Sequence, residues 1–373
     1  MSEPSPHVLM TADAVGGVWR YALDLAAGLC AAGGRVTLAV LGPAPDAAQQ
    51  DEADAVAGLD LVLTGLPLDW LARDAASVVE AGGTLAALAA TRRADLVHLN
   101  SPALAACNAF RVPVLGVCHS CVATWWQAVR GTAPMPHDFV WRRALVAAGY
   151  RAADRLVAPS AAFSLATARA YGLTTAPRVV HNGRAAMPPA TAARGLPKDF
   201  VFTAGRLWDE GKNAATLDAA ATELRLPVLV AGLVTGPHGA HFAPRQARWV
   251  GALTPEAVAA YLAARPIFAS VAHYEPFGLA VLEAAQAGCA LVLSDIATFR
   301  ELWGDAARFV PPGDAGALAR AIQDLAAEPE ARARLGAAAQ ARAGRFSVAR
   351  MVAGTQALHR ALLRSAATLE AAR

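Results

Sequence analysis

Two glutamates, Glu275 and Glu283, bracket a short stretch that could receive an anion; residues 271–288 read VAHYEPFGLAVLEAAQAG. An apolar strand over 267–272 leads into it. Pro276 suits the first position of a helix, where its missing N–H has no partner to lose. Phe277, Leu279, Leu282 and the alanines then recur at helical spacing, and Gly288 supplies a stop. The pattern predicts a strand, a tight loop and a helix. The free N–H groups of Phe277, Gly278 and Leu279 would sit where the helix dipole favours negative charge. Gly278 lets a ligand approach the backbone. Seven helical steps span about 10 Å. The two carboxylates would then flank a ligand with hydroxyls at both ends and phosphate between, as in a nucleotide sugar. The same spacing also fits a buried βα unit with two solvated glutamates.

A second constellation is GRLWDEGKN, residues 205–213, directly after an apolar strand at 200–204. Arg206 offers a planar fork and Lys212 a point charge, and two such cations on one loop can clamp a diphosphate. Gly205 and Gly211 give the loop room, although a surface turn with ordinary charges reads the same way. Gly16 and Gly17 open a helix after the strand at 7–11, so backbone amides there could face an anion or a sugar. The pair is neither G-x-G-x-x-G nor a Walker motif, which argues against a dinucleotide or ATP. A tight βα turn without a ligand is the other reading. His119 follows the strand 112–117 and should project beyond the strand ends, where parallel sheets bind ligands. His98, near another strand end, is its weaker rival.

Cys118 and Cys121 form C-x-x-C around His119, the spacing of a redox pair or half a zinc site. No second C-x-x-C completes the site, so cysteines incidental to a buried strand end are the better reading. Trp125, Trp126 and Trp141 lie among Arg130, Arg142, Arg143, Arg151 and Arg155. That mixture could rest on an anionic membrane, but a solvated helix face with tryptophans in the core is preferred.

These residues need a scaffold of strands and helices. Buried strands are predicted at 7–11, 35–41, 59–63, 96–100, 112–117, 155–158 and 178–181, then at 200–204, 228–231, 248–253, 267–272, 290–293 and 308–310. Helical stretches separate most of them, including 69–88. Pro159-Ser160 and Thr254-Pro255-Glu256 are helix-start signals. Such alternation means parallel sheets covered on both faces. Residues 187–199, MPPATAARGLPKD, lack apolar periodicity and read as an interdomain linker. At 373 residues the chain fits two domains. Its 55% hydrophobic content supplies buried sheets, and a net charge of +3 gives no case for nucleic acid. Five cysteines, an odd number, argue against a disulfide framework. The opening MSEPSPHVLM lacks the pattern of a signal peptide, and the cytoplasm is the expected compartment, with the inner face of the membrane an option.

The segment EPFGLAVLE resembles the E-x(7)-E signature of retaining glycosyltransferases of family 4, and GRLWDEGKN resembles their donor-phosphate motif. With the N-terminal glycine loop the resemblance covers nearly the whole chain. It implies the α/β GT-B fold, two Rossmann-like parallel-sheet domains facing each other across a cleft. The acceptor-side domain would be 1–186, with the helix at about 355–373 packing back on it, and the donor domain 187–354. It implies transfer of a sugar from a nucleotide-diphosphate sugar, UDP- or GDP-linked, to an acceptor hydroxyl with retention. The acceptor, whether glycan, lipid-linked or small molecule, is open. The resemblance assigns His119, Glu275, Arg206 and Lys212 to catalysis. It assigns Gly16, Gly17, Arg206, Lys212, Glu275, Phe277, Gly278, Leu279 and Glu283 to donor binding. His119 would contact the donor sugar. No metal or cofactor is expected, and no residue is an obvious nucleophile. A sugar-nucleotide epimerase of the same fold and a non-catalytic nucleotide-sugar sensor are the rivals.

Overall fold

The computed structural model of the chain describes residues 6–185, 190–237 and 239–371. Of the linker expected at 187–199, residues 187–189 lie outside the described residues.

Among the described residues the strands form two wholly parallel sheets. The first contains β1 (His7–Asp13), β2 (Arg35–Leu41), β3 (Leu59–Leu63), β4 (Leu96–Leu99), β5 (Val114–Val117), β6 (Arg155–Ala158) and β7 (Arg178–Val179). Their order is β3-β2-β1-β4-β5-β6-β7. The second contains β8 (Val201–Ala204), β9 (Val228–Ala231), β10 (Arg248–Trp249), β11 (Ile267–Ser270), β12 (Ala290–Ser294) and β13 (Arg308–Val310), in the order β10-β9-β8-β11-β12-β13. Both follow the doubly wound arrangement, with the order reversing beside the first strand of each sheet. Covered faces explain the composition: every residue of β1, HVLMTAD, is buried, and β9 and β12 are buried throughout.

That reversal brings distant sequence together. β8 pairs with β11, so the loops leaving their C-terminal ends, 205–212 and 271–278, are neighbours. β4 lies between β1 and β5, which groups residues 14–17, 100 and 119 at the matching edge of the first sheet.

The chain divides into two compact units: Met1–Gln127 with Thr132–Gly183 and Val348–Arg373, and Arg184–Ser347 with the short piece Ala128–Gly131. In the first unit the terminal helix Val348–Ala371 sends Met351, Val352 and Leu362 into the same core as Trp19, Leu25 and Leu29 of the helix Gly17–Ala31. In the second, Phe202, Phe268, Phe277, Phe299 and Trp303 form a core around β8, β11 and β12.

Two helix starts differ from expectation. The helix expected over 69–88 is Ala75–Thr91, because the Asp74 carboxylate accepts from Ser77 N at 2.8 Å and caps it there. The helix expected from Pro276 is Leu279–Gln286, because Gly278 at φ +94° is its N-cap. Two of the four outer strands, β7 and β10, are shorter than expected, pairing only at Arg178–Val179 and Arg248–Trp249. Ser160 and Thr254 cap their helices as expected, with Pro255 at the first position of the latter.

Candidate functional site

The loop 205–212 is pinned from both sides before any ligand arrives. Gly205 N donates to Ala231 O at 3.0 Å and Leu207 N to Leu233 O at 2.9 Å. A Cβ on Gly232 would stand 1.8 Å from Gly205 O, so the end of β9 can pass only as glycine. Asp209 then closes the turn, accepting from Gly211 N at 2.9 Å and from Arg206 Nη2 at 3.1 Å. The next loop is stitched on by Tyr274 N to Gly211 O at 3.1 Å and by Asn213 Nδ2 to Val271 O at 3.0 Å. On that frame Lys212 Nζ lies 2.5 Å from Glu275 Oε2. Arg206 is held through one nitrogen, its side chain is 42% exposed, and its buried Nε has no partner. The site therefore joins two cations and a carboxylate on two adjacent loops.

The helix beside them opens differently from the sequence expectation. Its first bond is Leu282 N to Gly278 O, at 3.0 Å. The amides without a helical partner are therefore those of Gly278, Leu279, Ala280 and Val281, so of the expected Phe277, Gly278 and Leu279 only Phe277 falls outside the set. Phe277 is 3% exposed and packs edge-on against Phe346 at 5.5 Å, so only its backbone borders the site. Glu275 lies in the loop and Glu283 on the helix, which means a helical rise does not measure their separation. Glu283 Oε1 accepts from Arg184 Nε at 2.7 Å, and Gln286 Nε2 donates to Arg184 O at 3.1 Å.

In the first unit Gly16 has extended backbone and caps the helix Gly17–Ala31 without any side-chain bond, leaving its N-terminus bare. His119 Nε2 lies 2.8 Å from Asn100 Oδ1, and its ring meets Tyr21 edge-on at 4.4 Å. Burial pushes the His119 imidazole down to about 3, so it is neutral. His98 is no rival, because it is wholly buried in β4 with Nδ1 3.1 Å from His359 Nε2. Cys118 and Cys121 are buried thiols that desolvation pushes up, the opposite of a reactive thiolate. Among the described residues, no group of three or more His, Cys, Asp or Glu side chains is placed to hold a metal ion. Trp125, Trp126 and Phe139 form a half-buried aromatic cluster, with Trp126 Nε1 donating to Ala133 O. No described helix is long and apolar enough to cross a membrane.

Arg206, Lys212, Glu275, Phe277, Gly278, Leu279 and Glu283 thus gather on two loops and a helix of the second unit, and Gly16, Gly17 and His119 at strand ends of the first. Sequence reasoning missed Asp209, Asn100 and Arg184. Asp209 had a signal, an acid three residues beyond Arg206 in the same loop. Asn100 and Arg184 act on partners 19 and 99 positions away and left none.

Two family models match the chain, Glycosyltransferase Family 4 over residues 15–184 and Glycosyl transferases group 1 over 198–342. A glycogen synthase of Mycobacterium tuberculosis is 28% identical over 323 residues, 79% of this chain and 74% of that protein. Among solved structures, sucrose-phosphate synthase from Thermosynechococcus elongatus superposes with a TM-score of 0.78 at 19% identity, over 96% of this chain and 100% of the other. Anabaena Alr3699/HepE in complex with UDP-glucose does so at 0.73 and 19% identity, over 95% and 99%. The chain belongs to the group 1 glycosyltransferases and has their GT-B fold of two parallel-sheet α/β domains.

Proposed function

We propose that this glycosyltransferase moves a sugar from a UDP- or GDP-linked donor to an acceptor hydroxyl, with retention at the anomeric carbon. One observation carries the reading: Lys212 Nζ, 2.5 Å from Glu275, stands with Arg206 on a loop stitched to the one that opens the helix Leu279–Gln286. Breaking the sugar–phosphate bond leaves negative charge on the diphosphate. Fixed cations and helix amides stabilise that charge as it forms, without reorganising. Arg206, Lys212 and the opening amides take the diphosphate, and Glu283 takes the ribose hydroxyls. Glu275 faces the sugar from the loop of the donor unit, and His119 of the other unit contacts a substrate hydroxyl. The cations supply the charge compensation, so the transfer proceeds without a metal. The donor binds within 187–354, and 1–186 with the last helix selects the acceptor in the cytoplasm, in synthesis of a polysaccharide, glycolipid or small glycoside. The UDP-glucose bound by the Anabaena protein supports a uridine donor.

Lys212→Ala and Arg206→Ala should each lower turnover about 10²-fold, the scale for removing one preorganised stabiliser. The assay is release of nucleoside diphosphate from UDP- and GDP-sugars, in the presence and absence of EDTA. Wild-type rates in both variants would refute the assignment. Tight binding with no release under any condition would identify a sensor instead.

A further inference from the structure

His119 is neutral, so its two ring nitrogens differ, and which one carries the hydrogen decides what it can touch. The surroundings settle that by a chain of obligatory donors and acceptors. Asn100 Nδ2 lies 2.6 Å from the backbone oxygen of Thr11. A carbonyl oxygen only accepts, so the Asn100 atom there is the amide nitrogen and its carbonyl is turned the other way. That carbonyl, Oδ1, lies 2.8 Å from His119 Nε2 and also only accepts, so Nε2 bears the hydrogen. The Asn100 backbone is fixed too, with N donating to Thr11 Oγ1 at 2.8 Å. Thr11 is fully buried and Asn100 is 7% exposed, so water offers no easy alternative to either bond. The remaining nitrogen, Nδ1, has no hydrogen-bond partner among the described residues, and His119 is not fully buried. The T-shaped contact with Tyr21, itself 4% exposed, keeps the ring from turning over.

We propose that Asn100 is a positioning residue which, anchored on Thr11, holds His119 as the Nε2–H tautomer and so leaves Nδ1 as a bare acceptor for the ligand. His119 then recognises a group that brings its own hydrogen, a hydroxyl of the bound substrate, and repels a phosphate oxygen through its lone pair. On the reading of the preceding section, that hydroxyl belongs to one of the two substrates of the sugar transfer. The diphosphate is left to Arg206, Lys212 and the helix amides. His119 is thereby excluded as a general acid, because the proton it holds is committed to Asn100.

The tautomer is read directly from long-range 1H–15N spectra of protein labelled with 15N-histidine, with His119→Gln identifying the His119 signals. The wild-type protein should show a protonated Nε2 and an unprotonated Nδ1 at pH 7. Asn100→Ala should turn this into an exchanging mixture of tautomers. An imidazolium or an Nδ1–H form in the wild type would overturn the proposal, as would a spectrum unchanged in folded Asn100→Ala. Should that variant not fold, Asn100→Leu, close in size and without any acceptor for the same nitrogen, tests the same point with the same two outcomes. Asn100→Ala should also lower turnover about tenfold, the worth of one hydrogen bond. The spectrum is independent of activity. A protein inactive with every UDP- and GDP-sugar sinks the transferase reading, while the free-protein tautomer still upholds or overturns the role of Asn100.

Discussion

Glu283 meets a cation before it meets any ribose. Arg184 holds its Oε1 at 2.7 Å, and both side chains are mostly buried, at 10% and 18% exposure. An orienting arginine leaves Oε2 to accept from vicinal hydroxyls, and the fixed carboxylate loses less freedom on binding. Glu283→Ala should weaken UDP or GDP binding about tenfold or more, as expected for losing hydrogen bonds to a charged group. Calorimetry showing unchanged affinity would remove the ribose role. Much of this site was legible at the residue scale. Arg206, Lys212, Glu275 and Glu283 stand out because their types and short spacing are written in two continuous stretches. Arg184 was not legible, because its pairing with Glu283 depends on how the chain folds across 99 positions. The opening amides begin one residue later than expected, at Gly278 instead of Phe277, because Pro276 gives a start signal that Gly278 overrides with its positive φ.

Among the elements, the helix Leu279–Gln286 carries the heaviest constraint. Its N-cap Gly278 sits at φ +94°, and a Cβ there would lie 3.2 Å from Phe299 Cε1 and 3.3 Å from Glu275 Cγ. Gly278→Ala should therefore cost about 1–2 kcal/mol in backbone strain and press on Glu275. The expected outcome is a lower melting temperature together with a fall in turnover, read by calorimetry and the release assay. Unchanged turnover would mean that Glu275 tolerates displacement. The strands were the most readable elements. β2, β3, β6, β9 and β13 have the bounds predicted for them, and β9 shows the reason most plainly, because it is buried along its whole length and hydrophobic throughout. The stretch 69–74 deceived because its apolar residues imitate a helical period, whereas the Asp74 cap delays the helix to Ala75.

Across the whole molecule, acidity should act through buried imidazoles of the first unit. Burial lowers His359 to about 4 and His98 well below its ordinary value. In the unfolded chain both titrate near 6.5, so between about pH 6.5 and 4 the unfolded state binds more protons. Their contribution to stability is intact above pH 6.5 and is lost as the pH falls through that window. Melting temperatures at pH 7.0, 5.5 and 4.5 should drop progressively, and His359→Leu should flatten the drop. An equal slope in the variant would show that other groups dominate.

The helix Val348–Ala371 has a temporal meaning as well as a spatial one. It is made after residues 184–347, yet Met351, Val352 and Leu362 complete the core to which Val8 and Met10 of His7–Asp13 belong. Residues 184–347 emerge as a finished unit first, whereas the earliest-made strands wait for the final turn of synthesis, reversing the usual N-to-C order of domain folding. A chain stalled before residue 348 should keep a protease-resistant 184–347 fragment while the segment before 184 is digested, and a chaperone would find its client in that earlier segment instead of in 184–347.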